Sequence, residues 1–495
     1  MNTRRAAGGI GLAAAIAVTL GVTAPVAQAD TGRQQSKAGG APLRDDFNGD
    51  GYADVAFPAP DATVDGKAKA GYVAVVYGSA HGLDTSTKQV FDQNAPGMPG
   101  TAEAGDAYGS SVTTGDLDGD GYADLVVGSA GEDPTESYGV SKGSLAVVWG
   151  GPEGLGDEAA TLPTKAEGGD EIGSDTVVGD FDGDGALDIA TTVSGDHMRV
   201  LSGPFGRDGA PKRVKDTPGS IHTVLDMAVG DVNGDGVDDL VAVENDQDEY
   251  DARNVFVYDG SPAGLAPFTV VKDGEGEPLQ GGESVGVGDV NGDGVDDIVA
   301  GRAVDGYDSD LDTPLAKGGM VTYIPGSDQG PNGTEAQAFN QDSAGVPGSA
   351  ETQDRFGTGI SVADIDGDGL ADVSTGLPGE DLGSTKDAGA AITLFGKPDG
   401  LSGENAATVT QNTAGVPGVA EAKDAFGSAT TLADVDGDGL ADLVVGASGE
   451  NDGAGSVWAF KSTADGVTPA GSLTFGAGTL GTVAKGAHLG AGFAY

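Results

Sequence analysis

The strongest constraint in this sequence is a nine-residue acidic stretch that occurs seven times. DFNGDGYAD stands at 46–54, DLDGDGYAD at 116–124, DFDGDGALD at 180–188 and DVNGDGVDD at 231–239. DVNGDGVDD returns at 289–297, followed by DIDGDGLAD at 364–372 and DVDGDGLAD at 434–442. Successive starts are 70, 64, 51, 58, 75 and 70 residues apart. At that period each copy is one supersecondary unit, which buries its apolar surface against its neighbours.

The flanks of each copy are alike. A short apolar-alternating run precedes it, such as SSVTTGD, TVVGD, SVGVGD or ISVAD, and another follows, such as ADLVVGS or DDIVAG. Two strands joined by a tight acidic loop read as a β-hairpin. Third strands follow at 71–78, 143–150 and 390–396, and a looser fourth element (KQVFDQN, ATVTQN) precedes the next copy. Four strands per unit, seven units and no helical periodicity predict an all-β, seven-bladed β-propeller. The first loop has no strand ahead of it, whereas the chain ends in HLGAGFAY, which resembles the pre-loop strand YGSSVTTG. The 61 residues after Asp434 and the 16 between Asp30 and Asp46 together make one repeat length. The C-terminal strand is therefore expected to complete the blade that holds Asp46 and to close the ring.

Composition agrees. The 89 glycines suit tight turns and lack the triplet period of collagen, and 38% hydrophobic residues in short β-branched runs argue against disorder. With 25 Lys+Arg against 78 Asp+Glu, the formal net charge is −53, which excludes nucleic acid as a partner and disfavours anionic membranes. There is no cysteine, so neither disulfides nor thiolate chemistry is available. Residues 1–29 read as a signal peptide: Arg4 and Arg5, an Ala/Val/Leu-rich stretch, then Ala27-Gln28-Ala29 as the cleavage site. Residues 30–44 read as a flexible leader and 45–495 as the propeller, secreted by the Sec or twin-arginine route, with no membrane span after cleavage.

Four acidic side chains in nine residues repel one another unless a cation joins them. A hard ion such as Ca²⁺ takes six to eight oxygens. Positions 1, 3, 5 and 9 offer side-chain oxygens, position 7 a backbone carbonyl, and glycines at 4 and 6 permit the turn. The ligands so expected are Asp46, Asn48, Asp50, Tyr52 and Asp54; Asp116, Asp118, Asp120, Tyr122 and Asp124; and Asp180, Asp182, Asp184, Ala186 and Asp188. They continue with Asp231, Asn233, Asp235, Val237 and Asp239, and with Asp289, Asn291, Asp293, Val295 and Asp297. The last two sets are Asp364, Asp366, Asp368, Leu370 and Asp372, and Asp434, Asp436, Asp438, Leu440 and Asp442. Up to seven Ca²⁺ follow, with the three Asn-containing loops weaker. An EF-hand is excluded, because its position 12 needs a glutamate and here holds Phe57 or Val127 inside strands. Helical paired loops fail likewise, and fifty or more residues of strand pattern between copies exclude a tandem acidic array. At a dissociation constant of ~10⁻⁴ M and millimolar calcium each site adds about 1.4 kcal/mol, so seven add on the order of 10 kcal/mol.

The loops, with YGSS (108–111), FGTG (356–359) and FGSA (426–429) before them and GSAGED (128–133), GLPGED (376–381) and GASGEN (446–451) after them, resemble FG-GAP repeats. These are the repeats of the integrin α-subunit propeller and its bacterial relatives. The resemblance covers about 45–495 and implies a seven-bladed propeller with calcium in the inter-strand loops. It departs in the third repeat, which has IGSD (172–175), and in the fourth and fifth, which lack the FG pair. Integrin propellers bind calcium in only some blades, whereas all seven loops here are complete.

No catalytic constellation emerges. Gly282-Glu283-Ser284-Val285-Gly286 matches GxSxG but leads into Asp289 as a strand, without the strand-to-helix elbow. His81, His197, His222 and His488 lack ligand spacing, and no room remains for a His-rich zinc phospholipase domain. Asn332-Gly333-Thr334 is a glycosylation sequon that a bacterial source would leave unused. The expected function is a secreted, monomeric, calcium-stabilised binding or adhesion module for an extracellular protein or glycan, shaped by long loops such as 245–254 and 302–319. The alternatives are an extracellular lyase or hydrolase acting on polysaccharide, marked by a central Arg, Lys, Tyr and acid cluster, or a structural cell-surface protein.

Overall fold

The computed structural model describes residues 45–494 except 133–140, 167–168, 194–196, 220–222, 246–251 and 307–315. The signal segment, the leader and most of the two long connections lie outside the described residues. The chain forms seven antiparallel sheets spanning 55–91, 108–161, 176–218, 223–270, 284–339, 358–409 and 426–476. The first has three strands and the other six have four, each sheet following chain order from the inside outward. The second blade is representative: Tyr108–Gly115, Asp124–Ser129, Ser144–Val148 and Ala159–Thr161 pair in sequence. Innermost strands of successive blades lie side by side, so the sheets stand radially around an axis and the seven-bladed propeller is observed. Two single-turn helices, Glu450–Gly453 and Ala477–Leu480, are an addition to the all-strand expectation.

Burial follows from radial stacking. A middle strand has a neighbouring blade on each face, so Asp124–Ser129 (DLVVGS) and Asp442–Ala447 (DLVVGA) are buried at every position. Outer strands have one free edge, and Arg213–Pro218 (RVKDTP) keeps charge there, which discourages edge-to-edge pairing. The core sits between blades: Leu117, Val126 and Trp149 of the second pack with Val178, Ile189 and Leu201 of the third.

The C-terminal segment lies against the inner side of the first blade. Ala494 donates its N–H to the Ala56 carbonyl at 3.2 Å, and Phe493 meets Phe57 edge-on with centroids 5.7 Å apart. Leu489 bridges in parallel to Gly455, as Phe426 does to Gly389 and Phe356 to Gly319. No strand is assigned over 486–494, which differs from the regular strand expected there. Phe493→Ala removes a ring that is 2% exposed, so it should lower stability by roughly 3–5 kcal/mol in urea denaturation. An unchanged midpoint would show that this segment does not lock the ring.

Candidate metal centre

Six acidic loops join the innermost strand of a blade to the second, and the first leads into Val55–Ala59, so all seven lie at one end of the ring. The winding is the same throughout. The position-1 carboxylate accepts the position-6 N–H in every loop, joined by those of positions 4 and 5 in the second, where Asp116 takes Gly119 at 2.8 Å, Asp120 at 3.0 Å and Gly121 at 2.9 Å. Position 5 accepts from position 7, as Asp438 does from Leu440 at 3.0 Å. Position 9 is the buried member, 0–2% exposed in all seven loops. Its Oδ1 takes the N–H that follows the third strand, from Gly150 to Asp124 and from Ser462 to Asp442, both at 2.8 Å. In five loops its Oδ2 takes the position-2 N–H, as from Leu117 to Asp124 at 2.9 Å, and in the third and seventh that oxygen has no such partner.

The loops are also linked to one another. The position-8 N–H donates to the position-1 carbonyl of the preceding loop at six of seven junctions, as from Ala123 to Asp46 at 3.0 Å and from Ala53 to Asp434 at 3.0 Å. At six of the seven junctions the position-7 side chain lies over the position-4 glycine of the preceding loop. A Cβ on Gly49 would come within 2.7 Å of Tyr122, and one on Gly292 within 2.4 Å of Leu370. Glycine at position 4 is thus required by this contact as well as by its left-handed φ, which the motif alone does not reveal.

Four loops bring three carboxylates to within 4.8 Å: Asp116, Asp118 and Asp124; Asp180, Asp182 and Asp184; Asp364, Asp366 and Asp372; and Asp434, Asp436 and Asp442. Position 5 stands apart from three of these groups and position 9 from the third loop's. In the other loops asparagine turns its amide nitrogen to a carboxylate, Asn233 to Asp239 at 3.0 Å, Asn291 to Asp297 at 3.2 Å and Asn48 to Asp50 at 3.0 Å. Basic side chains missed by the motif also approach. Arg207 pairs with Asp118 and Asp120, and Lys461 with Asp436 at 2.6 Å. Lys212 pairs with Asp184, and Arg213 lies 3.6 Å from Asp182. Nothing local ties Arg207 to an aspartate 87 residues earlier.

The residues fit a hard cation. Asp182 Oδ1, Asp188 Oδ2 and Asp442 Oδ2 are buried without a hydrogen-bond partner, and the donor set is all oxygen. Burial foremost, with neighbouring aspartates adding to it, pushes the position-9 carboxyls up: Asp54 to about 8, Asp124, Asp188, Asp239, Asp372 and Asp442 to about 7, and Asp297, eased by its hydrogen bonds, to about 6.

Elsewhere, Ser284 of the GxSxG match opens the strand Ser284–Gly288 and donates to the Gly357 carbonyl at 2.8 Å. Asn332 caps a single 3-10 turn and accepts from Thr334 Oγ1 at 2.6 Å. His81 is exposed, His488 lies 3.2 Å from the Ser448 carbonyl and His222 falls outside the described residues.

Seven radial sheets, each with an acidic loop at the same end, define a β-propeller with a carboxylate rim. Residues 38–76, 108–148, 356–394 and 426–460 match the family model described as FG-GAP repeat, and the chain carries FG-GAP repeats. It is 37% identical over 94 residues to integrin alpha-5 of Xenopus laevis, covering 19% of this chain and 8% of that protein. It is 27% identical over 171 residues to phosphatidylinositol-glycan-specific phospholipase D of Rattus norvegicus, covering 34% and 18%. This chain therefore spans less than a fifth of either relative. Among solved structures, the Dos1 propeller matches with a TM-score of 0.35 and 12% identity, over 68% of this chain and 67% of that one.

With calcium stripped, protonation of the position-9 carboxyls favours the fold. Their contribution is full below the ordinary carboxylate pKa and is lost as pH rises through about 7. The calcium-free protein should melt higher at about pH 5.5 than at about pH 8, and the increment from added calcium should grow in the opposite direction. Asp442→Asn should lower the melting temperature in calcium and leave it equal or higher without. A calcium increment independent of pH would contradict the site.

Proposed function

We propose that this chain is a secreted binding propeller in which the seven loops hold Ca²⁺ as scaffold and the opposite end of the ring receives an extracellular ligand. The ions would sit between positions 1, 3, 5 and 9 with the position-7 carbonyl, neutralising carboxylates that strand pairing forces together. The Asn loops are the weaker sites, because their amides must turn before the oxygen can ligate.

The observation that carries the ligand end is the axial channel. At the loop end a recess of about 1090 Å³ is lined by the loops and by residues such as Thr113, Val177 and Thr431. At the other end lies a recess of about 710 Å³, with Asp175, Asp226, Glu244, Tyr258 and His197 in its wall. Its walls are unequal. Five residues ahead of their loops stand Ser111, Asp175, Asp226 and Ser284 on one side and Gly359 and Ala429 on the other, with Gly492 of the C-terminal segment beside the latter. Among the described residues neither recess is lined by lysine or arginine, which favours a neutral or basic ligand group over an anionic polysaccharide. The connections over 245–254 and 302–319 bear on this reading but lie largely outside the described residues.

The mature chain in calcium should bind on arrays of glycans and matrix proteins, and the Asp175→Asn/Asp226→Asn variant should bind about tenfold more weakly while melting as the parent does. Silence across the arrays would sink this reading. Turnover of a polysaccharide would replace it with the enzymatic alternative.

A further inference from the structure

Away from the loops, at the far end of the second strands, three buried polar nodes join neighbouring blades. In one, Gln341 follows the outer strand Gln337–Phe339 of the fifth blade and donates Nε2 to Glu380 of the sixth at 2.8 Å. Beside them is Asp354, 4% exposed, whose Oδ2 accepts the Glu351 N–H at 2.6 Å. The trio recurs between the sixth and seventh blades, where Gln411 donates to Glu450 at 2.7 Å and the Glu450 carboxyl is within hydrogen-bond reach of Asp424. It recurs again between the first and second, as Gln93, Glu132 and Asp106, with the amide 2.6 Å from the carboxylate. The separation from glutamine to glutamate is 39 residues in all three.

Each glutamine leaves the same atom unsatisfied. Oε1 of Gln93, Gln341 and Gln411 has no hydrogen-bond partner, in side chains of residues only 5%, 4% and 2% exposed. Turning the amide over would not help, because Oε1 would then face the glutamate carboxylate. A buried carbonyl without a partner has lost its hydration with nothing in return. Three repetitions beside carboxyl pairs point to an occupant that brings positive charge.

The third blade shows what that place holds when the chain supplies its own cation. Asp170 stands two residues before Ile172, which bridges to Gly143 as Phe356 does to Gly319 and Phe426 to Gly389. Asp170 is therefore the counterpart of Asp354 and Asp424. The guanidinium of Arg199, 8% exposed, lies 3.7 Å from it. Among the described residues, no lysine or arginine pairs with Asp354, Glu380, Asp424 or Glu450; the nearest such pair, Lys386 with Asp381, is exposed.

We propose that the two nodes at Gln341 and Gln411 are cation sites distinct from the loops, each taking a hard divalent ion such as Ca²⁺ through the glutamine Oε1 and the aspartate and glutamate carboxylates. At the node of Gln93, Lys67 acts on Asp106 from within the chain. Two carboxylates and an amide oxygen, without imidazole or thiolate, select calcium over zinc or copper. Bound there, the ion ties the outer edge of one blade to the second strand of the next, as Arg199 does from within the third. The competing occupant is a proton shared by the two carboxyls.

The test is a count of calcium bound per full-length chain at saturation, by equilibrium dialysis and atomic absorption at about pH 8. Glu380→Gln and Glu450→Gln should each lower the count by one and the double variant by two, whatever number the loops hold. Asp436→Asn, a loop variant, reports on the loops alone, so failure there is separable from failure here. An unchanged count in folded Glu380→Gln/Glu450→Gln protein overturns the proposal and leaves the proton. Should that variant not fold, Gln341→Met, which removes only the amide oxygen and nitrogen, must lower the count by one, and an unchanged count in it is equally decisive.

Discussion

One buried carboxylate ties each blade together. The position-9 aspartate ends the loop and begins the second strand; in every blade its Oδ1 accepts an N–H from the end of the third strand, and in five of the seven its Oδ2 accepts one from the loop's entry. Asp124 therefore fixes three segments of its blade at once. An amide in its place would keep only part of this, because one oxygen would become a donor facing a donor. The cost is a carboxylate in low dielectric beside others of like sign, and burial drives its pKa upward for that reason. A cation at the loop resolves the conflict between hydrogen bonding, which favours the ionised form, and desolvation, which opposes it.

The same loops carry the connection between blades. Where position 7 is large, its side chain covers the preceding position-4 glycine, and the position-8 N–H reaches the preceding carbonyl. The third loop breaks the series. Its position 7 is Ala186, nothing lies within 4 Å of a Cβ placed on Gly119, and the second and third loops lack the backbone link found at the other six junctions. Arg207, from the third blade, fills that place. It pairs with Asp118 and Asp120 and lies 5.3 Å from the centre of the Trp149 ring. A short side chain in the loop is thus offset by a long one from a neighbouring connection, and the second loop gains a counter-charge that, among the described residues, the first, fourth and fifth do not have.

Much of this was legible in the sequence, and the remainder was hidden for a definable reason. Period, blade number and the hairpin at each loop follow from local patterns, and the strands at Tyr72–Tyr77 and Ala390–Lys397 fall where alternation places them. The position-1 and position-9 aspartates are readable because their roles depend on spacing within nine residues. Arg207 is not, since its partners are fixed by how blades abut. The inter-blade trios lie between these cases. Gln93, Gln341 and Gln411 each stand 39 residues before their glutamate, a regularity that is visible in the sequence. Its meaning comes only from burial, because an exposed glutamine at that spacing would carry no information.

The net charge of −53 reads differently once its distribution is known. Spread evenly, it would be a solvation device. Here it is concentrated at the loop rim and at the inter-blade nodes, where strand pairing holds carboxylates closer than their repulsion allows in water. The hydrogen-bonded rim makes the first of these collective, since loosening one loop withdraws an acceptor from the next. Among the described residues, the chain's 25 basic side chains reach these places at few points, through Arg199, Arg207, Lys212, Arg213 and Lys461. Cations bound at these places would couple to stability, most strongly where several blades depend on the same rim.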